Sequence, residues 1–268
     1  MNRLEKQMVD LLIDLKENHN VVGVKAEFEA EGTRLEEAMR LKDVSLKAGL
    51  GLTLKIGGCE AIRDMFEAAD LGTAHLVAPM VETPYALKKY LGAVKSALSE
   101  DQRADMDFLI NLETITACKN FEEMLKLPGI GMLDGIVLGR VDLTGSMGLT
   151  RDDINSEQVR NICLDMAAKA KAHGKTVVVG GGVSVHSLPF FRGFPEGHIN
   201  RFETRKVVFS CPGALDNKEA SFLKAVEFEL MWLKNKKAYY TQISREDDAR
   251  LQMMEERYRK SIEATKAD

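Results

Sequence analysis

Glu113 and Asp142 are the residues whose placement bears most directly on chemistry. Each follows a short apolar run: residues 108–112 precede Glu113, and residues 136–138 precede the turn at Gly139 that leads to Asp142. An acid at such a point leaves the core at the carboxyl end of a buried strand, where α/β barrels carry their chemistry. Two carboxylates from neighbouring strands form a hard, open oxygen site suited to Mg²⁺ or Mn²⁺, with water or substrate completing the shell. A structural reading of the same acids is that they cap the helices that follow.

Positioning such a pair requires strands and helices in alternation, and the chain supplies them. Strand-like runs fall at 21–28, 51–56, 74–80, 107–113, 135–138, 176–179 and 206–209. Helical patterns lie near 33–48, 59–70, 84–98, 118–126 and 155–172, and an opening helix over about 2–18 aligns Leu4, Met8, Leu11, Leu12 and Leu15. This order predicts parallel strands joined by crossover helices.

Composition narrows the class. A chain of 268 residues, 45% hydrophobic, accommodates one α/β barrel with a tail and buries a large core. A net charge of −4 without a dominant basic face argues against a nucleic-acid partner. No run approaches membrane-spanning length and no secretory leader is evident, so no membrane association is expected. Cys59, Cys118, Cys163 and Cys211 are widely spaced, as expected of reduced thiols in a cytoplasmic protein.

Three segments carry a family resemblance: "AADLGTAHLVAPMVET" at 68–83, "NLET" at 111–114 and "LPGIGMLDGIVLGRVDLTGSMG" at 127–148. Together they resemble the HpcH/HpaI aldolase/citrate lyase family, over about residues 24–185. The resemblance implies a pyruvate/phosphoenolpyruvate-type TIM (β/α)8 barrel and a divalent metal held by Glu113 and Asp142. It also implies carbon–carbon bond making or breaking through a pyruvate-like or acetyl-type enolate. Seven strand-like runs are one too few for such a barrel, and the segment before Val21 reads as helix. The barrel is therefore expected to be modified or incomplete at its first strand, or completed irregularly by residues 184–191.

The chain departs from the family pattern at two strand ends. Where family members carry D-G-E-H, with the His as acid/base partner, this chain has Ala26-Glu27-Phe28-Glu29, so Glu29 or Glu27 becomes the candidate proton carrier. Where they carry L-V-R-P, with an Arg that grips pyruvate, this chain has Lys55. Lysine is a point charge rather than a fork, suited to neutralising an enolate or carboxylate. Lys25 is the rival cation one strand earlier. Arg140 beside the metal acid, and Gly139 before it, are expected at the substrate. For Glu27 and Glu29 the structural alternative is an exposed pair; for the lysines, solvent-facing strand ends; for Arg140, the surface.

Other positions are less specific. The glycines at 180–182 suit a phosphate-binding loop or close packing equally, and His186 and His198 read as structural. Asp70 reads as a polar residue at a helix end, and Glu203 either pairs with Arg205 or faces the barrel mouth. Residues 216–238 form a broad apolar helix, and Ser244 with Asp247 resembles the cap of a second, charged helix whose sparse stripe is Leu251, Met254, Tyr258 and Ile262. These C-terminal helices are solvated or join subunits of a homo-oligomer. The expected division is a barrel over 1–212 and C-terminal helices over 213–268. The function expected is a metal-dependent aldolase acting on a 2-keto acid and a carbonyl partner. A citrate-synthase-like or citryl-thioester-lyase reaction is the nearest variant, and a catalytically inactive oligomeric scaffold is the alternative class.

Overall fold

The alternation read in the sequence becomes a closed barrel of eight strands in the computed structural model, which describes residues 1–267. Helix α1 (Arg3–His19) leads to β1 (Val21–Glu27), α2 (Leu35–Lys47), β2 (Gly51–Lys55), α3 (Ile62–Asp70) and β3 (His75–Ala78). The chain continues through α4 (Pro84–Ala97), α5 (Glu100–Ala104), β4 (Asp107–Leu112), α6 (Ile115–Leu125) and β5 (Gly135–Gly139). Then follow α7 (Arg140–Ser146), α8 (Glu157–Ala172), β6 (Thr176–Gly180), α9 (Leu188–Arg192), β7 (Arg201–Glu203), β8 (Val207–Ser210) and α10 (Glu219–Ala267).

Local signals set the boundaries. Asn2 and Glu5 form a reciprocal capping box that starts α1, and Asn20, in the left-handed region at φ 58°, turns the chain into β1. Thr83, Thr114 and Ser156 cap α4, α6 and α8 by accepting the backbone N–H three residues on.

Strands β1 to β7 pair in parallel, whereas β8 runs antiparallel to both β7 and β1. The irregularity thus lies at the eighth strand, not the first: β1 is complete, and residues 184–191 form a short turn and α9 rather than a strand. The physical reason is a tight return. Thr204 N–H donates to the Val207 carbonyl (2.9 Å) while its hydroxyl accepts the Val207 N–H (3.1 Å), so the chain reverses within three residues. Antiparallel neighbours need no crossover helix. No helical pattern separates β7 from β8, and the three-residue β7 is hidden beside the run that follows.

Inside the barrel, Val77, Leu109, Val137 and Val178 form a buried apolar layer. The inner-face register then rises toward the strand carboxyl ends through Glu27 beside Lys55 and Gly139 beside Gly180. Outside, α10 covers the hairpin: Phe222 joins a stack with Phe202 and Phe209, at centroid distances of 6.1 and 5.6 Å. Further along, Asn235 donates to Glu5, while Lys236 and Tyr240 meet Glu37.

Helix α10 runs unbroken for 49 residues, about 73 Å at the usual rise. The expected second helix does not begin at Ser244, which lies within α10. No Gly or Pro occurs between 219 and 267 to release the backbone, so the capping signature has no helix start to cap. From Thr241 to Lys266 every side chain is exposed. Among the described residues, no helix is long and apolar enough to cross a membrane.

Candidate active site

Glu113 follows β4 directly and Asp142 lies in the first turn of α7. Neither caps its helix: Thr114 caps α6, and α7 starts at Gly139 without a side-chain cap. Glu113 instead turns into the barrel mouth, only 2% exposed. Its Oε1 accepts the Met80 N–H (2.9 Å) and its Oε2 accepts the Asn111 side-chain amide (2.7 Å). Met80 is held at φ 50°, a costly conformation for a non-glycine residue, and that conformation accompanies the N–H bond to Glu113. A Cβ at Gly139 would stand 2.7 Å from the Glu113 Cβ and 2.8 Å from its Oε2, so glycine there is a steric requirement of the carboxylate.

Burial pushes the Glu113 carboxyl above its ordinary range, and the charge of Asp142 adds to the effect. Its two N–H donors and Lys55 oppose that shift without cancelling it. Asp142 is exposed, in a hollow shared with Met80, Thr144 and Ser146. The Asn111 Oδ1 is buried with no hydrogen-bond partner. Two acids that repel each other beside an unpartnered amide oxygen match the donor set a hard divalent ion uses. Among the described residues there is no cluster of three or more His, Cys, Asp or Glu that could hold a metal.

A ladder of alternating charges crosses the mouth from β7 to β2. Glu203 pairs with Lys25, Lys25 with Glu27 (3.0 Å), Glu27 with Lys55 (3.7 Å), and Lys55 with Glu29 (2.9 Å). Burial disfavours charge on Lys25, Glu27 and Lys55, but their partners win. Lys25 and Lys55 are raised above the ordinary lysine range, and Glu27 is held below the ordinary carboxylate range by both lysines. Lys55, Glu27, Glu29 and Lys25 are thus brought together, the lysines buried and paired rather than solvent-facing. Glu203 faces the mouth, and Arg205 lies outside it, near Glu31 and Glu229 (3.6 and 4.0 Å).

Arg140, expected at the substrate or on the surface, is instead sealed in the barrel wall. It is 0% exposed, and its guanidinium donates to the carbonyls of Gly180 (3.1 Å) and Gly181 (2.8 Å), to Asn155 Oδ1 (2.6 Å) and to the Ser187 hydroxyl (3.3 Å). Its carbon lies 4.8 and 5.1 Å from the ring centroids of Phe190 and Phe191. Burial without a carboxylate partner pushes its pKa down to about 10. Arg140 therefore fastens the loop after β6 to the segment after α7. Gly181 and Gly182, at φ 82° and 64°, pack against this junction: a Cβ on Gly181 would meet the Val141 nitrogen at 2.7 Å. Close packing explains these glycines.

Beside the ladder a cavity of about 440 Å³ opens between Val183, Val185 and His186 on one side and Phe222 and Val226 of α10 on the other. Arg151 lines both this cavity and the Asp142 hollow. Asp70 ends α3 in an exposed position, and the His198 ring hydrogen-bonds the Glu196 carbonyl (3.3 Å). Sequence reading missed Asn111 and Arg151. Asn111 carries a signal, since it stands two residues before Glu113 and so shares its face of the strand. Arg151 carries none, being one charged residue in a polar turn.

Residues 54–180, from within β2 to the end of β6, match the family model described as HpcH/HpaI aldolase/citrate lyase. Among solved structures, an HpcH/HpaI aldolase/citrate lyase family protein from Burkholderia cenocepacia J2315 is similar at 15% identity. Its TM-score is 0.59, with 90% of each chain covered. An HpcH/HpaI aldolase from Desulfitobacterium hafniense DCB-2 is similar at 11% identity and TM-score 0.59, over 74% of this chain and 81% of that one. The citrate synthase SbnG is similar at 13% identity and TM-score 0.59, over 86% and 90%. A search of curated proteins found no match. The identities are low enough that these structures speak to the fold alone, which is the barrel described above. The segment that matches the HpcH/HpaI aldolase/citrate lyase model, residues 54–180, is thus the one that carries Glu113, Asp142 and their supports.

Proposed function

We propose that this protein is a carbon–carbon lyase of the aldolase type. It makes or breaks a bond to a pyruvate-like 2-keto acid through its enolate, with Mg²⁺ or Mn²⁺ as cofactor. The observation that carries the reading is Glu113, a buried carboxylate raised by burial and by Asp142, whose every oxygen has a single N–H donor. Glu113 and Asp142 would hold the ion, with the unpartnered Asn111 oxygen beside them. When bound, a divalent ion supplies Lewis-acid polarisation and charge for an enolate.

The chain's own residues divide the rest of the work. Lys55 adds positive charge near Glu113. Glu29, at the rim and 2.9 Å from Lys55, is the proton carrier. Glu27 suits that role less, because two lysines favour its charged form; it holds the ladder together. Lys25, locked between Glu203 and Glu27, is a positioning residue rather than a substrate ligand. Gly139 keeps the space that Glu113 needs. The carbonyl partner enters by the cavity beside the ladder, whose size lies within the usual ~300–1,000 Å³ of small-molecule sites. A citrate-synthase-like or citryl-thioester-lyase reaction is the nearest variant of the same enolate chemistry.

Thermal-shift titration with Mn²⁺ and Mg²⁺, with and without pyruvate, tests the reading. Stabilisation by metal, deepened by the keto acid, is expected from ligand linkage; no response to either overturns it. One observation favours the scaffold alternative: both mouth lysines are already neutralised by carboxylates. A response to metal with none to any keto acid is what that alternative predicts.

A further inference from the structure

Charge at the barrel mouth is unbalanced. Five carboxylates, on Glu27, Glu29, Glu113, Asp142 and Glu203, face two ammonium groups, on Lys25 and Lys55. A divalent ion cancels two of the three excess negative charges and leaves one. A keto-acid carboxylate entering there adds another, so it needs a cation that no protein carboxylate already occupies. Lys25 and Lys55 are occupied, and Arg205 lies between Glu31 and Glu229. Arg140 is sealed in the wall. Arg151 has no hydrogen bond or ion pair among the described residues, and it lines both the Asp142 hollow and the cavity beside the ladder.

Its position is fixed from below. Arg151 opens a short turn, Arg151–Asn155, closed by Thr150, whose N–H and hydroxyl donate to Asp153 Oδ2 (2.9 and 2.8 Å). Asn155 at the other end accepts from Arg140, and Ile154 is buried where a Cβ on Gly182 would come within 2.6 Å of it. The buried arginine thus anchors the turn from which the free arginine projects.

We propose that Arg151 is the specificity-determining residue that grips the carboxylate of the keto acid, at the boundary between the Asp142 hollow and the cavity for the carbonyl partner. A guanidinium fork binds a carboxylate by two parallel hydrogen bonds, which a lysine cannot reproduce. This inference rests on the lyase reading given above.

The test uses the full chain in Mn²⁺, with pyruvate and its uncharged methyl ester as probes, followed by thermal shift and calorimetry. Wild type is expected to bind pyruvate more tightly than methyl pyruvate. Arg151→Ala should keep the Mn²⁺ stabilisation, bind pyruvate about 10- to 100-fold more weakly and lose the preference for the acid over the ester. Arg151→Lys should restore the preference in part. Wild-type pyruvate affinity and preference in Arg151→Ala overturn the proposal alone. Loss of the Mn²⁺ response in that variant also overturns it, since the role is then structural. A wild-type chain that responds to neither Mn²⁺ nor pyruvate overturns the lyase reading, and this inference with it.

Discussion

At the scale of single residues, the acid pair was legible because a strand end is readable as the point where an apolar run stops. The surroundings of each residue were not. Arg140 sits next to the candidate metal acid in sequence, yet its side chain turns away into a wall of carbonyls and phenylalanine rings. Sequence adjacency fixes the backbone and leaves the rotamer to tertiary packing. Glu113→Gln and Asp142→Asn are each expected to abolish metal-dependent stabilisation with the fold intact, because Asn111 can turn its unpartnered Oδ1 toward the new amide at 113 and Asp142 is exposed. Wild-type metal affinity in both variants, by calorimetry, would place the site elsewhere. A carboxyl raised in the folded state gives stability below its ordinary value of 4.5 that is lost as pH climbs through the folded pKa. Metal-free Glu113→Gln should therefore melt above wild type at neutral pH, and the gain should vanish below about pH 4.5. Lys55→Ala should cost roughly 2–4 kcal/mol of transition-state stabilisation, the scale of one preorganised charge partner. Borohydride with pyruvate should trap no adduct at Lys55; a trapped adduct means a Schiff base.

At the scale of elements, strands buried on both faces announced themselves as apolar runs, and six of the seven expected runs became the parallel strands β1 to β6. The seventh became β8, and what failed was direction. Nothing in 201–210 distinguishes a parallel neighbour from a hairpin until Thr204 is seen closing the turn through its own hydroxyl. Helix α10 shows the converse, since a good capping signature at Ser244 stays silent inside a continuous helix. From Thr241 to Lys266 α10 is exposed on every side, and Leu251, Met254, Tyr258 and Ile262 lie there at spacings of three and four. We propose that a second copy covers this stretch. A chain ending at Gln242 should lose less than about 0.5 kcal/mol of barrel stability, as for surface changes that remove no buried contact. It should also elute as a smaller species in size-exclusion chromatography. An unchanged oligomeric state would remove α10 as the joining element.

Across the whole molecule, the barrel is closed by a strap rather than by an eighth crossover unit. Helix α1 enters before β1, α10 leaves after β8, and the two helices pack together over the hairpin that completes the sheet. Their junction centres on His19. Its Nδ1 meets the Ser221 hydroxyl (2.8 Å), its Nε2 lies 3.0 Å from Lys224 Nζ, and its carbonyl accepts from Asn217 (2.8 Å). Lys224 also bonds Asp14 at 2.5 Å, so a charge on His19 would sit directly against an ammonium held in place by α1. Burial first, and Lys224 second, hold the His19 pKa below its ordinary 6.5, outweighing Asp14. A histidine depressed in the folded state contributes stability that is whole above the unfolded pKa and is lost as pH falls through the folded one. Acidification from about pH 6.5 should therefore loosen the start of α10 before the barrel melts. Hydrogen exchange should rise in residues 219–226 while β1 to β6 stay protected, and His19→Gln should remove that pH dependence while retaining a side chain that bonds Ser221. Equal exchange at pH 7 and 5.5 in the wild type would mean that the strap is held by the phenylalanine stack alone.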